Sequence, residues 1–214
     1  MTVVPTGRAS PLWDGVGFVF SLGLALALSW QARDLIWSLW LSSLVIGYLT
    51  IVLGIVGSAR RAIQAGSSVI GNLALGLFML GFFTVHFGGF HLGHAVFLTL
   101  FFPLEPTGQG AFPLTPHLLG LVAGSYWPWL LSAAIAERSA LAQAWRGEPG
   151  GAGRTAMAGF NPMRPYLNVI RMHLLIFFFA ASHFAGLDGV WVFCVVFAVY
   201  FLPWRMLAGA RPQA

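Results

Sequence analysis

The run VIGNLALGLFMLGFFTVHFGGFHLGHAVFLTLFFP, residues 69–103, decides the fold. It holds 35 residues with no Asp, Glu, Lys or Arg. As an α-helix rising 1.5 Å per residue it would be about 52 Å long, whereas about 20 apolar residues span a bilayer. It is therefore either one long crossing or two short ones broken at Gly88 and Gly89. The choice sets the number of crossings, and with it the side on which every later loop lies.

Outward from this run the chain has the same character. Further apolar segments lie near 12–30, 36–57, 118–136, 166–185 and 189–207. Of 214 residues, 58% are hydrophobic and 8% charged, against roughly 25% charged in soluble domains. This composition excludes a soluble globular domain and predicts an all-α helical bundle, a single transmembrane domain over 1–214 whose primary partner is the lipid bilayer. The net charge of +5, from 11 Lys+Arg against 6 Asp+Glu, sits mainly in loops, so it reports orientation and not nucleic-acid binding. Arg8 ahead of VGFVFSLGLALAL has the look of a secretory leader, but the run is read as a retained first span.

Loop arginines choose between one crossing and two. SARRAIQAGSS at 58–68 carries Arg60 and Arg61, and the 137–165 loop carries Arg138, Arg146, Arg154 and Arg164. Both have the excess of positive charge that marks cytoplasmic loops. They share a side only if 69–103 crosses once and 118–136 returns. Six spans follow, with a long or kinked third helix and with both termini cytoplasmic beside Arg8, Arg205 and Arg211. QARD at 31–34, LEPTGQGAFPLTPH at 104–117 and GLDG at 186–189 then form the outer loops. The expected location is a prokaryotic inner, cytoplasmic-type membrane.

Cysteine and glycine patterns close off other chemistries. The sole cysteine, Cys194, permits neither an intrachain disulfide nor a CxxC motif, so a metal site must draw on histidine, carboxylate or backbone oxygen. RGEPGGAGR at 146–154 lacks the G-K-[ST] ending of a phosphate loop.

Histidine supplies the candidate site. Polar ionisable groups inside a membrane are costly and mark function by default. Counted from the start of each apolar run, His86 lies about 25 Å and His183 about 24 Å toward the outer face, at one depth. His91 and His94 are i, i+3 neighbours above His86, and His117 opens the returning span at the outer rim. His86, His91, His94 and His183 are thus the expected ligands of a transition metal such as zinc, copper or iron. Glu105, His117 and Asp188 are the expected supporting shell. Gly88, Gly89 and Gly93 are expected to let helices approach or kink there. The dense HxxxH boxes of membrane di-iron enzymes and the HExxH of zinc proteases are absent.

A second polar group, Asn72, Asn168, Arg171 and His173, is expected near the inner boundary, where Arg171 can snorkel to headgroups. His173 and His183 are about 15 Å apart along one helix and cannot share an ion, although they would suit two layers of a polar track. Trp13, Trp30, Trp37, Trp127, Trp129 and Trp204 fall near span ends, as in an interfacial belt. A lone intramembrane histidine among phenylalanines also suits axial ligation of haem or a chlorophyll-type pigment.

FFTVHFGGFHLGH on a central span, paired with PYLNVIRMHLLIF opening a later one, resembles a family of prokaryotic polytopic membrane proteins that carries a domain-of-unknown-function label. The resemblance covers about 69–103 and 161–180. An H-[FY]-G stretch, a second histidine eight residues on and a later Leu-or-Met-His map to His86, His94 and His173. No activity comes with it.

The leading functional expectation is a His-rich metal or cofactor site near the outer face, in a membrane-embedded metalloenzyme. The alternative is a haem- or pigment-ligating accessory subunit of a larger membrane complex, with protein partners or copies of itself. A small-solute or ion transporter is the weaker reading. No catalytic set or reaction type is assignable from the residues.

Overall fold

The computed structural model describes residues 16, 19, 20, 22, 23, 25–104, 115–147 and 163–186. Four long helices are bounded within them: α1 Ala32–Gln64, α2 Val69–Phe101, α3 Pro116–Arg146 and α4 Met163–Phe184. Helical residues at 16, 19, 20, 22, 23 and 25–27 precede α1. The expected first span is thus described only in part, and the expected last span, 189–207, lies outside the described residues.

Each boundary has a local cause. In the first turn of α1, Asp34 Oδ2 accepts the Gln31 N–H at 2.9 Å, satisfying a donor that has no partner within the helix. Gly66, at φ +91°, turns the chain between α1 and α2 in a conformation that glycine adopts without a Cβ clash. Ser68 Oγ and Thr115 Oγ1 accept Gly71 N–H and Leu118 N–H as the N-caps of α2 and α3. Pro116 occupies the first turn of α3, where a missing N–H costs nothing. Pro128 lies inside α3 without ending it.

The 69–103 run is not divided at Gly88 and Gly89. α2 is unbroken for 33 residues, through Gly88 and Gly89. Arg33–Gln64, Val69–Phe101 and Pro116–Arg146 are each long and apolar enough to cross a membrane, and the chain is a helical membrane protein. The helices outrun the apolar segments: 58–64 and 137–146, read as loop, are helical. Asp34, read as outer loop, belongs to α1.

α1 is the central helix and packs against the other three, most extensively against α3. Successive helices alternate in direction. Trp37 Nε1 at the start of α1 donates to Phe102 O just past the end of α2 at 2.9 Å, so this pair is antiparallel. α3 runs parallel to α1: Tyr126 O–H donates to Asp34 Oδ1 at 2.8 Å near one end, and Arg60 donates to Trp145 O at 3.0 Å near the other. α4 runs parallel to α2, with Tyr166 beside Phe87 and Phe179 beside Phe102. The 65–68 turn, Arg60, Arg61 and Gly147 therefore share one end of the bundle, in keeping with the arginine parity.

Close approach occurs at different glycines from those expected. A Cβ on Gly88, Gly89 or Gly93 would meet no atom within 4 Å. The buried face of α2 is Phe83, Phe87, His91, His94, Ala95 and Leu98, and those glycines point away from it. The tight contacts belong to α1: Gly47 faces the Phe87 ring, and Gly57 faces the carboxyl end of α3, where an added Cβ would stand 2.8 Å from Gly147 N and Trp145 O. The tryptophan belt is also corrected in part. Trp37 and Trp129 are 0% and 1% exposed and belong to the core, and Trp30 packs on Tyr126 and Trp129.

Candidate functional site

The register of α4 against α2 determines which histidines meet. Tyr166 lies beside Phe83, His86, Phe87 and Phe90, His173 beside Phe90 and His94, and Phe179 beside Phe102. Residue n of α4 is thus level with about residue n − 80 of α2. α4 begins near the middle of α2 and not at its start. The backbone at 183 is then level with about residue 103, some 25 Å along the axis from His86, and the side chain of His183 lies outside the described residues. The backbone at 168 is level with about residue 88, roughly 24 Å along the axis from residue 72. Asn72 Nδ2 donates to Ser68 O at 2.8 Å.

Counting depth from the start of each run fails for a physical reason. Helices of 31 to 33 residues are about 50 Å long, well beyond the roughly 30 Å hydrocarbon core. α4, moreover, starts level with about residue 83 of α2, so the two runs have no common origin from which depth can be counted.

His173, expected apart from the others, meets His94. His94 Nε2 lies 3.0 Å from His173 Nδ1 and 2.8 Å from His173 Nε2. The ring centroids are 3.9 Å apart at an interplanar angle of 69°. One atom so close to both nitrogens of a ring cannot lie along either in-plane lone pair; it points at the ring between them. Edge-to-face aromatic pairs ordinarily keep their centroids about 4.5–7 Å apart, and these imidazoles stand closer than that. His94 is 3% exposed, and its Nδ1 is buried without a hydrogen-bond partner. An unpaired buried polar atom costs about 1–3 kcal/mol.

His91, 1% exposed, has a different role. Its Nδ1 is 3.0 Å from Phe87 O, one turn back on α2, and its Nε2 is 3.2 Å from Ser43 Oγ on α1. A carbonyl only accepts, so Nδ1 carries the proton and Nε2 accepts from the Ser43 hydroxyl. Trp40 Nε1 donates to His91 O at 3.0 Å. α1 therefore grips α2 at His91 twice, through the backbone and through the ring. Its ring centroid stands 6.1 Å from that of His94, behind the pair.

The other expected site residues are dispersed. His86 is exposed on α2, and His117 is exposed in the first turn of α3. Glu105 and Asp188 lie outside the described residues, as do the side chains of Asn168, Arg171 and His183. Among the described residues, no group of three or more His, Cys, Asp or Glu side chains is placed to hold a metal ion. Trp40, Ser43 and Tyr166 are absent from the sequence-based site. Serines at 38, 42 and 43 within an apolar run are the signal that could have found Ser43, since small polar residues mark helix contacts.

No curated protein and no solved structure shows significant similarity to the chain. A family model, described as a family of unknown function, does match it over residues 18–202, nearly the whole helical region described above. The chain belongs to that family, DUF6498.

Proposed function

We propose that the protein is a membrane-embedded metal- or cofactor-binding protein whose centre is the pair His94 and His173. The observation that carries this reading is the convergence of the two imidazoles between α2 and α4, with His94 buried and its Nδ1 unpaired. Neutral imidazole nitrogens are suited to zinc, copper, iron and nickel, and the pair would supply two of such an ion's ligands. A bound ion would supply Lewis-acid or redox chemistry there. The chain's own residues set the surroundings: Phe90 packs edge-on to His173, and Ser43 and Trp40 fix His91 behind His94. Elemental analysis with an absorption spectrum on purified protein tests the reading. A transition metal that copurifies and is lost in His94→Ala supports it; a folded wild-type protein without metal refutes it.

The same reading places the pair toward the outer face of a prokaryotic inner membrane, in a chain of six spans with cytoplasmic termini. The placement rests on Arg60, Arg61 and Arg146 lying at the opposite end of the bundle. Single cysteines replacing Ser67, Gln109 and Gly150, with Cys194 replaced by serine, are expected to react with an impermeant maleimide from inside, outside and inside. Outside labelling at 150 would overturn the topology.

A further inference from the structure

Arginines gather at the end of the bundle where α1 and α3 finish. Arg60 and Arg61 lie near the end of α1 and Arg146 in the last turn of α3, and all three are exposed. Arg60 Nη2 donates to Trp145 O at 3.0 Å, with its guanidinium 4.5 Å from the centre of the Trp145 ring, and Arg61 Nη1 donates to Gly147 O at 2.7 Å. Each bond uses one of the five N–H donors of a guanidinium, and each acceptor is a neutral carbonyl. The side chains are thus oriented while their charge is not neutralised. Among the described residues neither Arg60 nor Arg61 is paired with a carboxylate. Residues 58–68 and 138–147 include no Asp or Glu. Glu137 lies about 12 Å back along α3 from Trp145, and Glu148 lies outside the described residues. The carbonyl ends of two helices carry only about half a unit of negative charge each, so three guanidiniums leave this end of the bundle positive.

Depth selects the ligand. From Leu35 to Ala59, α1 has 25 residues without a charged side chain, about 37 Å of helix. That exceeds the roughly 30 Å hydrocarbon core and falls within the roughly 40–45 Å that includes the headgroups. With Asp34 at the far end, Arg60 and Arg61 stand at the level of the lipid phosphates. The planar guanidinium fork pairs with phosphate through two parallel bonds, and basic pockets between membrane helices hold acidic headgroups. A zwitterionic lipid brings the same phosphate with a compensating ammonium, so net charge separates the two.

We infer that Arg60 and Arg61, with Arg146, hold the phosphate of an acidic phospholipid at the seam between α1 and α3. The site is separate from the His94–His173 pair and does not rest on it.

Full-length protein in a non-ionic detergent, incubated with equal amounts of phosphatidylglycerol and phosphatidylcholine, provides the test, with retained lipid counted by native mass spectrometry. Wild type is expected to retain phosphatidylglycerol in preference, and Arg60→Gln, Arg61→Gln and Arg146→Gln each to cut that preference about fivefold. In the first two variants glutamine can still donate to the carbonyl, so the contact between α1 and α3 persists. Arg60→Lys, which keeps the charge and loses the fork, should fall between wild type and Arg60→Gln. Arg33→Gln, at the start of α1, should keep the wild-type preference. Equal retention of the two lipids by wild type, or an unchanged preference in the glutamine variants, would show that Arg60 and Arg61 only cap α3 and overturn the proposal. So would displacement of phosphatidylglycerol by excess inorganic phosphate, since the site would then take a free anion and need no lipid.

Discussion

Replacing Gly57 by alanine is expected to destabilise the bundle, although the same change in an open helix stabilises it. Gly57 lies where α1 meets the carboxyl end of α3, and a Cβ there would stand 2.8 Å from Gly147 N and Trp145 O. These are backbone atoms that cannot rotate away, so the helices must part. Parting them pulls on the Arg60 contact with the Trp145 ring and carbonyl, and on the Arg61 bond to Gly147 O. Overpacking of this kind costs about 1–3 kcal/mol, against roughly 1 kcal/mol regained in helix propensity. Leucine should be worse still and prevent recovery of folded protein. Gly88→Ala is the control: with nothing near its Cβ, it should leave the melting temperature in detergent unchanged or raised. Thermal unfolding in which Gly57→Ala melts at or above wild type would show that α1 and α3 do not meet as described.

His91→Ala is expected to lower stability strongly and to leave the metal content of the folded fraction intact. The sequence reading makes His91 a ligand, but both ring nitrogens are occupied, by Phe87 O and Ser43 Oγ. Truncation removes the tie to Ser43 and opens a cavity among Phe87, Trp40 and His94. Buried large-to-alanine changes cost about 2–5 kcal/mol, while an interhelical hydrogen bond in a membrane averages about 0.6 kcal/mol, so the cavity should dominate. Ser43→Ala, which removes only the bond, should therefore lose a small fraction of what His91→Ala loses. Loss of metal from His91→Ala protein that is fully folded would restore it to the ligand set.

These outcomes divide along what a sequence can express. Helix existence was legible, because long apolar runs leave backbone groups no partner but themselves. The unbroken α2 was legible too, from arginine parity. The pairing of His94 with His173 was not, because it depends on how far α4 slides along α2, and composition does not encode that slide. A partial signal existed: Tyr166 and His173 are seven apart, as are Phe87 and His94, so two matching stripes could have been aligned. Gly57 was overlooked in favour of Gly88 and Gly89 because a glycine pair is conspicuous in sequence, whereas close approach is decided by which face turns inward. Trp37 and Trp129 were misassigned for the same reason, since position near a span end says nothing about facing.

The central claim is that His94 and His173 form one site, and it is tested most directly by the metal content of purified His173→Ala protein. Wild type should carry a transition metal near stoichiometry, His173→Ala and His94→Ala should each lose most of it, and His86→Ala and His117→Ala should retain it. Wild-type metal content in folded His173→Ala protein would contradict the account.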